Sequence, residues 1–478
     1  MSQFIKHSFT MFRGAALGQL IPIVMLPVIS RLYGPGAYGV FSGILALASV
    51  LAAMGALRLE VAIVLPADET EGLSIARAAL RLAFWVMVAM LLIFGVFQPV
   101  LVARFGFPDI GYWICAAPVL AFLMTCAQIG GYSATRHRDY GAIAASNVHI
   151  QLINGAAAIG LGATGLGAVG LVAARVAGQI LGVMRLRAHF RGLLAPVDVR
   201  AIVTKYRKFP LFNMPYSLIG TFTREFLILA LTAFHQPAAA GLYGMARTAM
   251  LAPVSLVSSS LGQVFYREAA RSIDDPRFAD FAYALMLATA CLTAPVLGAF
   301  TLWDTETFGF VFGARWAEAG VYASLFAPVA VLFMMTSWPE RVFEVRGRQD
   351  IPLMLQIAFD GAAVVAVVLG LRTGMAALEA VAVFVVIQCL YHLSYIGFVF
   401  WALHLRARRY AFLLLCVLAA GLTPYSIDWL AGRFIHNTLA LFMVDIGVTG
   451  AACLAGLLYA VRHVGRSAGF IGNPEKAV

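Results

Sequence analysis

The chain has 478 residues, of which 62% are hydrophobic and 12% charged, and its mean hydropathy is +0.87. That balance excludes a soluble globular protein, which could not hide so much apolar surface, so lipid must solvate much of the chain. The formal net charge of +11 is dispersed over short loops, which argues against a nucleic-acid surface and for an orientation signal.

A membrane span needs about twenty apolar residues. Fourteen stretches qualify, and the first six cover approximately residues 9–30, 38–64, 82–103, 111–134, 142–162 and 166–184. Six more follow at 211–233, 239–263, 279–302, 319–338, 352–371 and 376–403, and a last pair at 411–429 and 437–461. The expected fold is an all-α polytopic membrane protein, with about fourteen transmembrane helices in two six-helix lobes plus a C-terminal helix pair. Residues 1–185 form the first lobe, 186–210 a basic linker, 211–405 the second lobe and 406–478 the added pair with its tail. An internal echo supports paired halves. Pro35, Gly39 and Phe41 open the second span, and Pro237, Gly241 and Tyr243 open the eighth at the same spacing; repeated halves are common in transporters.

Basic residues choose the orientation. Twenty-four of the 34 Lys and Arg residues fall in every second loop, including the linker run Lys205-Tyr206-Arg207-Lys208; the intervening loops hold only Arg31, Arg104, Arg315, Arg372 and Arg433. By the positive-inside rule both termini are cytoplasmic. The six cysteines all lie in apolar runs without metal-ligand spacing and read as small packing residues. No cleavable signal peptide is evident. No Walker sequence, dinucleotide fingerprint or HExxH motif occurs, so neither a metal nor a cofactor is expected, and ATP-driven transport within this chain is not expected either.

The remaining five arginines lie inside apolar runs, where a charge is costly and marks a functional candidate. Arg224 is central in the seventh span beside Glu225, and Asn213, Ser217, Thr221 and Arg224 share one helical face. That stripe reads as the wall of a wet cavity, with a structural ion pair as the alternative. Arg247 in the eighth span either lines the cavity or snorkels to the interface. Arg58 and Glu60 lie in the long second span. Two positions apart on one helix, they would point to different sides and could not simply neutralise one another. Arg13 is a turn inside the first span, placed equally for cavity or headgroups. Arg175, among Ala173, Ala174 and Gly178, reads as close helix packing. Asp360, one turn from Gln356, is a candidate proton or cation site, whereas His392 beside Gln388 reads as a packing donor.

The stretch Leu26-Pro27-Val28-Ile29-Ser30-Arg31-Leu32-Tyr33-Gly34-Pro35-Gly36-Ala37-Tyr38-Gly39-Val40-Phe41, preceded by Gly18-Gln19-Leu20-Ile21, resembles the opening of Wzx-type polysaccharide flippases. These belong to the multidrug/oligosaccharidyl-lipid/polysaccharide exporter superfamily. Leu57-Arg58-Leu59-Glu60-Val61-Ala62-Ile63-Val64-Leu65-Pro66 resembles the next segment of that family. The resemblance implies a bacterial inner-membrane transporter, not an enzyme. Its cargo would be an undecaprenyl-pyrophosphate-linked oligosaccharide of O-antigen, lipopolysaccharide, capsule or exopolysaccharide assembly, moved to the periplasmic leaflet by alternating access. It also implies polysaccharide polymerase and chain-length proteins as partners. Arginine forks match pyrophosphate oxygens, so Arg58, Arg224 and Arg247, with Arg13, are the expected cargo ligands along the Asn213, Ser217 and Thr221 face. Glu60, Glu225 and Asp360 are candidates for coupling to a proton or sodium ion; membrane potential or glycan consumption stay open as driving forces. Competing readings are a lipid II flippase, a small-molecule exporter of the same superfamily, and, without a large outer loop to support it, a glycan polymerase or ligase.

Overall fold

The computed structural model describes residue 18, residues 20–105, 110–302 and 304–431, and isolated positions at 433, 444, 447–451 and 454. Every regular element among these residues is helical. Among the described residues ten helical stretches are long and apolar enough to cross a membrane, with a shorter apolar helix, α1, at Leu20–Leu32. Most of the fourteenth expected span, 437–461, and the opening of the first, residues 9–17, lie outside the described residues. The helices form two compact units: residues 1–244 with 311–316, and residues 245–310 with 317–478.

In the first unit α2 (Pro35–Gly55) is the central helix, packed on α5 (Ala116–Arg136), α9 (Met214–Ala233) and α7 (Gly167–Arg185). Proline opens α2 at a position where its missing N–H costs nothing. Phe41, Ile44, Ile114, Leu120 and Val172 fill the core around it. α6 (Tyr140–Gly162) and α7 form a tight pair. Gly178 and Gly182 of α7 face Ile150 and Asn154 of α6 so closely that added Cβ atoms would strike them, which is small-residue packing of the membrane type.

The sequence echo acquires a spatial meaning here. Pro237 opens α10 (Pro237–Ser272) as Pro35 opens α2. A Cβ on Gly39 would overlap the carbonyl oxygen of Pro237, and one on Gly241 would overlap that of Pro35. Two equivalent glycines thus let two helix starts cross reciprocally at backbone distance.

Two expected boundaries move. The second span does not run as one helix to residue 64. α2 ends at Gly55, Leu57 and Arg58 both adopt left-handed backbone (φ 51° and 62°), and a 3-10 turn follows at Leu59–Val64. α3 (Glu69–Val96) begins well before the expected residue 82, capped by the Asp68 carboxylate accepting from the Thr70 N–H at 3.1 Å. Arg77 and Arg81 therefore sit in its N-terminal half. There Arg77 donates to the Gly192 carbonyl, and Arg81 to those of Ala195 and Val197, pinning the basic linker to α3. The linker's own helix, α8 (Val199–Lys205), packs on α3 too, and the Tyr206 hydroxyl donates to Glu71 at 2.8 Å.

Residues 311–316 belong to this unit although they join α12 (Asp304–Phe312) to α13 (Ala317–Thr336). The fully buried Trp316 donates from Nε1 to the carbonyls of Ser30 (2.7 Å) and Tyr33 (3.2 Å), and Ser30 Oγ donates to the Phe312 carbonyl. Those acceptors lie at the C-terminal end of α1, whose last carbonyls lack intrahelical partners. Tyr38 meets the indole edge-on at 5.5 Å.

In the second unit α13 and α16 (Ala377–Ala402) pack together, flanked by α11 (Pro276–Leu302) and α15 (Asp350–Arg372). α17 (Ala407–Ala431) lies along α11, where Gly298 meets the Gly421 backbone. Phe265 stacks on Trp338 edge-to-face at 4.7 Å, sealing one aromatic cluster of this unit.

Candidate functional site

The left-handed pair at Leu57 and Arg58 carries the first cluster. A non-glycine residue in this conformation costs about 1–2 kcal/mol, so two in succession mark a break that the surroundings must hold. They hold it mainly with Arg136 of α5. Its Nη1 donates to the carbonyls of Ile63 (2.9 Å) and Pro66 (2.7 Å), and its Nη2 to that of Asp68 (2.7 Å). Leu59 and Ile63 of that segment sink their side chains into a cluster with Ile75 and Ala79 of α3 and Ile129 of α5.

The break brings Arg58 and Glu60 together. Arg58 Nη1 lies 3.2 Å from Glu60 Oε1, so the expectation that they diverge on a continuous helix is corrected. That expectation assumed 100° per residue, which left-handed backbone does not follow. Arg58 Nε also reaches Asn213 Oδ1 at 3.4 Å. Asn213 closes a π-turn (Phe209–Asn213) at the start of α9, an irregularity that often accompanies functional positions. Glu60 is buried, with only 1% of its surface exposed, while the Arg58 side chain keeps 23%. Burial raises the Glu60 carboxyl above its ordinary range, opposed by a backbone hydrogen bond and by the Arg58 charge.

From Asn213 the polar face of α9 continues through Ser217 and Thr221, both half-buried, to an exposed Arg224, with Glu225 half-buried beside it. The opposite face carries the exposed Tyr216, Ile219 and Phe222, and from Phe226 to Thr232 the helix is buried on every side. At 1.5 Å per residue, Arg224 stands about 16 Å along the helix from Asn213. One unit therefore presents two arginines at the ends of a ladder of hydroxyl and amide groups. The sequence periodicity predicted the upper rungs; the Arg58 rung required the break.

Arg247 lies in the second unit, half-buried on α10. Asp360 is also there, buried on α15, and Gln388 of α16 donates to its carboxylate at 3.2 Å. One turn on, His392 Nδ1 lies 2.9 Å from Thr336 Oγ1. Arg13 lies outside the described residues. Sequence reasoning passed over Arg136 altogether, counting it only as a loop cation; nothing in its neighbours announces that it will bind three carbonyls.

The Polysaccharide biosynthesis protein family model matches residues 28–321. No curated protein matches the sequence. Among solved structures, the lipid II flippase MurJ in an inward closed conformation superposes with a TM-score of 0.74 at 11% identity, covering 96% of this chain and 99% of that one. An inward-facing multidrug resistance MATE family transporter of the MOP superfamily superposes with a TM-score of 0.57 at 15% identity, covering 83% and 95%. The match spans well over half the chain, runs through both the α2 break and the α9 ladder, and agrees with the shared fold. This multi-pass membrane protein belongs to the polysaccharide biosynthesis protein family, and its fold is that of the MurJ and MATE structures it superposes on.

Proposed function

We propose that the protein flips an undecaprenyl-pyrophosphate-linked oligosaccharide from the cytoplasmic to the periplasmic leaflet of a bacterial inner membrane by alternating access, without catalysing a reaction. The observation that supports this reading most is the α9 ladder: Arg58, held by Glu60 and Asn213 at one end, and Arg224 at the other. A pyrophosphate cannot cross hydrocarbon unaided, and guanidinium forks suit its oxygens. In this reading Arg58 meets the cargo first, with the termini and the basic linker on the cytoplasmic side. Asn213, Ser217 and Thr221 supply hydrogen bonds along the way, and Arg224 receives the headgroup deeper in the membrane. Arg247 and Arg13 are assigned to cargo binding on their position in the sequence. Glu60, Glu225 and Asp360 are the groups assigned to proton or sodium coupling; Asp360, buried beside Gln388, is the one within the second unit. Polymerase and chain-length proteins would take the glycan onward.

The test is transport in proteoliposomes, with a fluorescent undecaprenyl-pyrophosphate oligosaccharide and a membrane-impermeant quencher. Protein-dependent exposure that disappears in Arg224→Ala, with expression unchanged, supports the reading. Full activity in that variant removes Arg224 from the pathway. Inactivity toward every lipid-linked glycan, together with movement of small molecules, assigns the chain to export of the latter.

A further inference from the structure

Glu60 is placed unusually for a residue whose role is only to neutralise Arg58. It follows two left-handed residues and is almost wholly enclosed. Only Oε1 contacts the guanidinium, while Oε2 is buried with no hydrogen-bond partner. A buried acceptor left open is costly, and a carboxylate with one open oxygen costs more than a neutral group would. Arg58 has five N–H donors; Nη1 is directed at Glu60 and Nε at Asn213, and the side chain is part-exposed. An arriving phosphate therefore finds a guanidinium already shared with a carboxylate that cannot move into water.

Among the described residues, Arg58 is the charge that bears on Glu60. α3, α5 and the π-turn pack against the 3-10 turn. On α3, Glu71 is engaged by Lys205 and Tyr206, while Arg77 and Arg81 bind linker carbonyls. Glu69 faces His137, and Asp68 caps α3. Arg136 of α5 is held by the carbonyls of Ile63, Pro66 and Asp68, and the π-turn contributes the neutral Asn213.

We propose that Glu60 is a specificity-determining counter-ion, which holds Arg58 when no cargo is present and yields it only to a strongly anionic headgroup, taking up a proton as it does so. This rests on the reading that Arg58 meets a phosphate-bearing lipid. The step balances simply. The Arg58–Glu60 ion pair becomes an Arg58–phosphate ion pair, and one proton passes from water to the Glu60 carboxylate, which stays buried as a neutral acid. When the headgroup moves on, the proton returns to water and the original pair re-forms. A diphosphate, with charge enough to compete for the guanidinium, displaces Glu60. A monophosphate, or a weakly anionic lipid, does so poorly.

The experiment is calorimetric titration of the purified full-length protein in detergent with farnesyl pyrophosphate and farnesyl phosphate. It is run at pH 8 in buffers of different ionisation enthalpy, so that the heat reports protons taken up per ligand bound. The wild type should take up about one proton more per pyrophosphate than Glu60→Gln, by linkage. The variant should bind the monophosphate about tenfold more tightly than the wild type does, narrowing the preference for diphosphate. Equal proton uptake in the two proteins, or an unchanged preference, overturns the counter-ion role and leaves cargo binding at Arg58 intact. Failure of the wild type to bind farnesyl pyrophosphate overturns the cargo reading, and the counter-ion role with it. If Glu60→Gln does not fold, the wild type decides alone: binding without uptake of a proton overturns the proposal.

Discussion

Gly39→Ala tests whether the sequence echo is a structural joint. The added methyl would sit inside the van der Waals envelope of the Pro237 carbonyl oxygen and against the Gly241 backbone nitrogen. Neither is the far end of a flexible side chain that could swing aside. To restore an ordinary contact of about 3.5 Å, the starts of α2 and α10 must part by more than an ångström. Parting them gives up the close backbone contact on both sides, since Gly241 meets Pro35 in the same way. Overpacking of this kind costs about 1–3 kcal/mol, and rigid backbone on both sides argues for the upper end. Gly36, three positions earlier in α2, has open space where its Cβ would go, so Gly36→Ala should be neutral or slightly stabilising. Thermal unfolding of the purified proteins in one detergent reads the difference. Gly39→Ala and Gly241→Ala should each melt measurably below Gly36→Ala, and the double variant should lose less than the two losses combined, because one displacement relieves both clashes. Equal melting temperatures for Gly39→Ala and Gly36→Ala would refute the joint.

Arg224→Ala and Arg58→Ala should each abolish most glycolipid transport while leaving expression intact, measured in the quencher assay. Arg136→Ala removes a cation from three carbonyls at a part-exposed site. It should cost about 2 kcal/mol and open the 57–68 segment to limited proteolysis; a protease pattern identical to wild type would contradict the bracing role. Trp316→Phe keeps most of the ring but withdraws its N–H from the Ser30 and Tyr33 carbonyls. A loss of about 1–2 kcal/mol should appear as faster amide exchange in the peptide containing residues 30–35. Asp139 caps α6 by accepting from the Ala142 N–H, and that bond, aided by His189, holds its carboxyl below the ordinary range. The ionised form is the stabilising one, so its contribution is full at neutral pH and is lost as pH falls through the lowered value. Asp139→Ala should cost about 1 kcal/mol at pH 7, and the gap in melting temperature should close on acidification; a gap independent of pH would exclude the cap as its source.

The α9 ladder was legible beforehand because a regular helix repeats. Asn213, Ser217, Thr221 and Arg224 share a face by arithmetic, and the structure leaves that face accessible. The reciprocal glycines were visible as a matched spacing, although not as a contact. The break after Gly55 was not visible, because Leu57 and Arg58 are ordinary residues with no glycine or proline beside them to signal left-handed backbone. The Arg58–Glu60 pair follows from that break and shared its invisibility.

Apolar run lengths and the uneven distribution of basic residues settled the solvent and the class of this protein from sequence alone, because a bilayer imposes the same demands on every spanning helix. They also singled out arginines inside the apolar runs, since a charge is costly there wherever the chain goes. What a given arginine touches was decided by tertiary structure. Arg136 binds carbonyls 68 to 73 residues away in sequence, and Asn213 meets Arg58 across 155. Local periodicity carries no information over such distances; only the packing of α2, α5 and α9 brings those groups within bonding range.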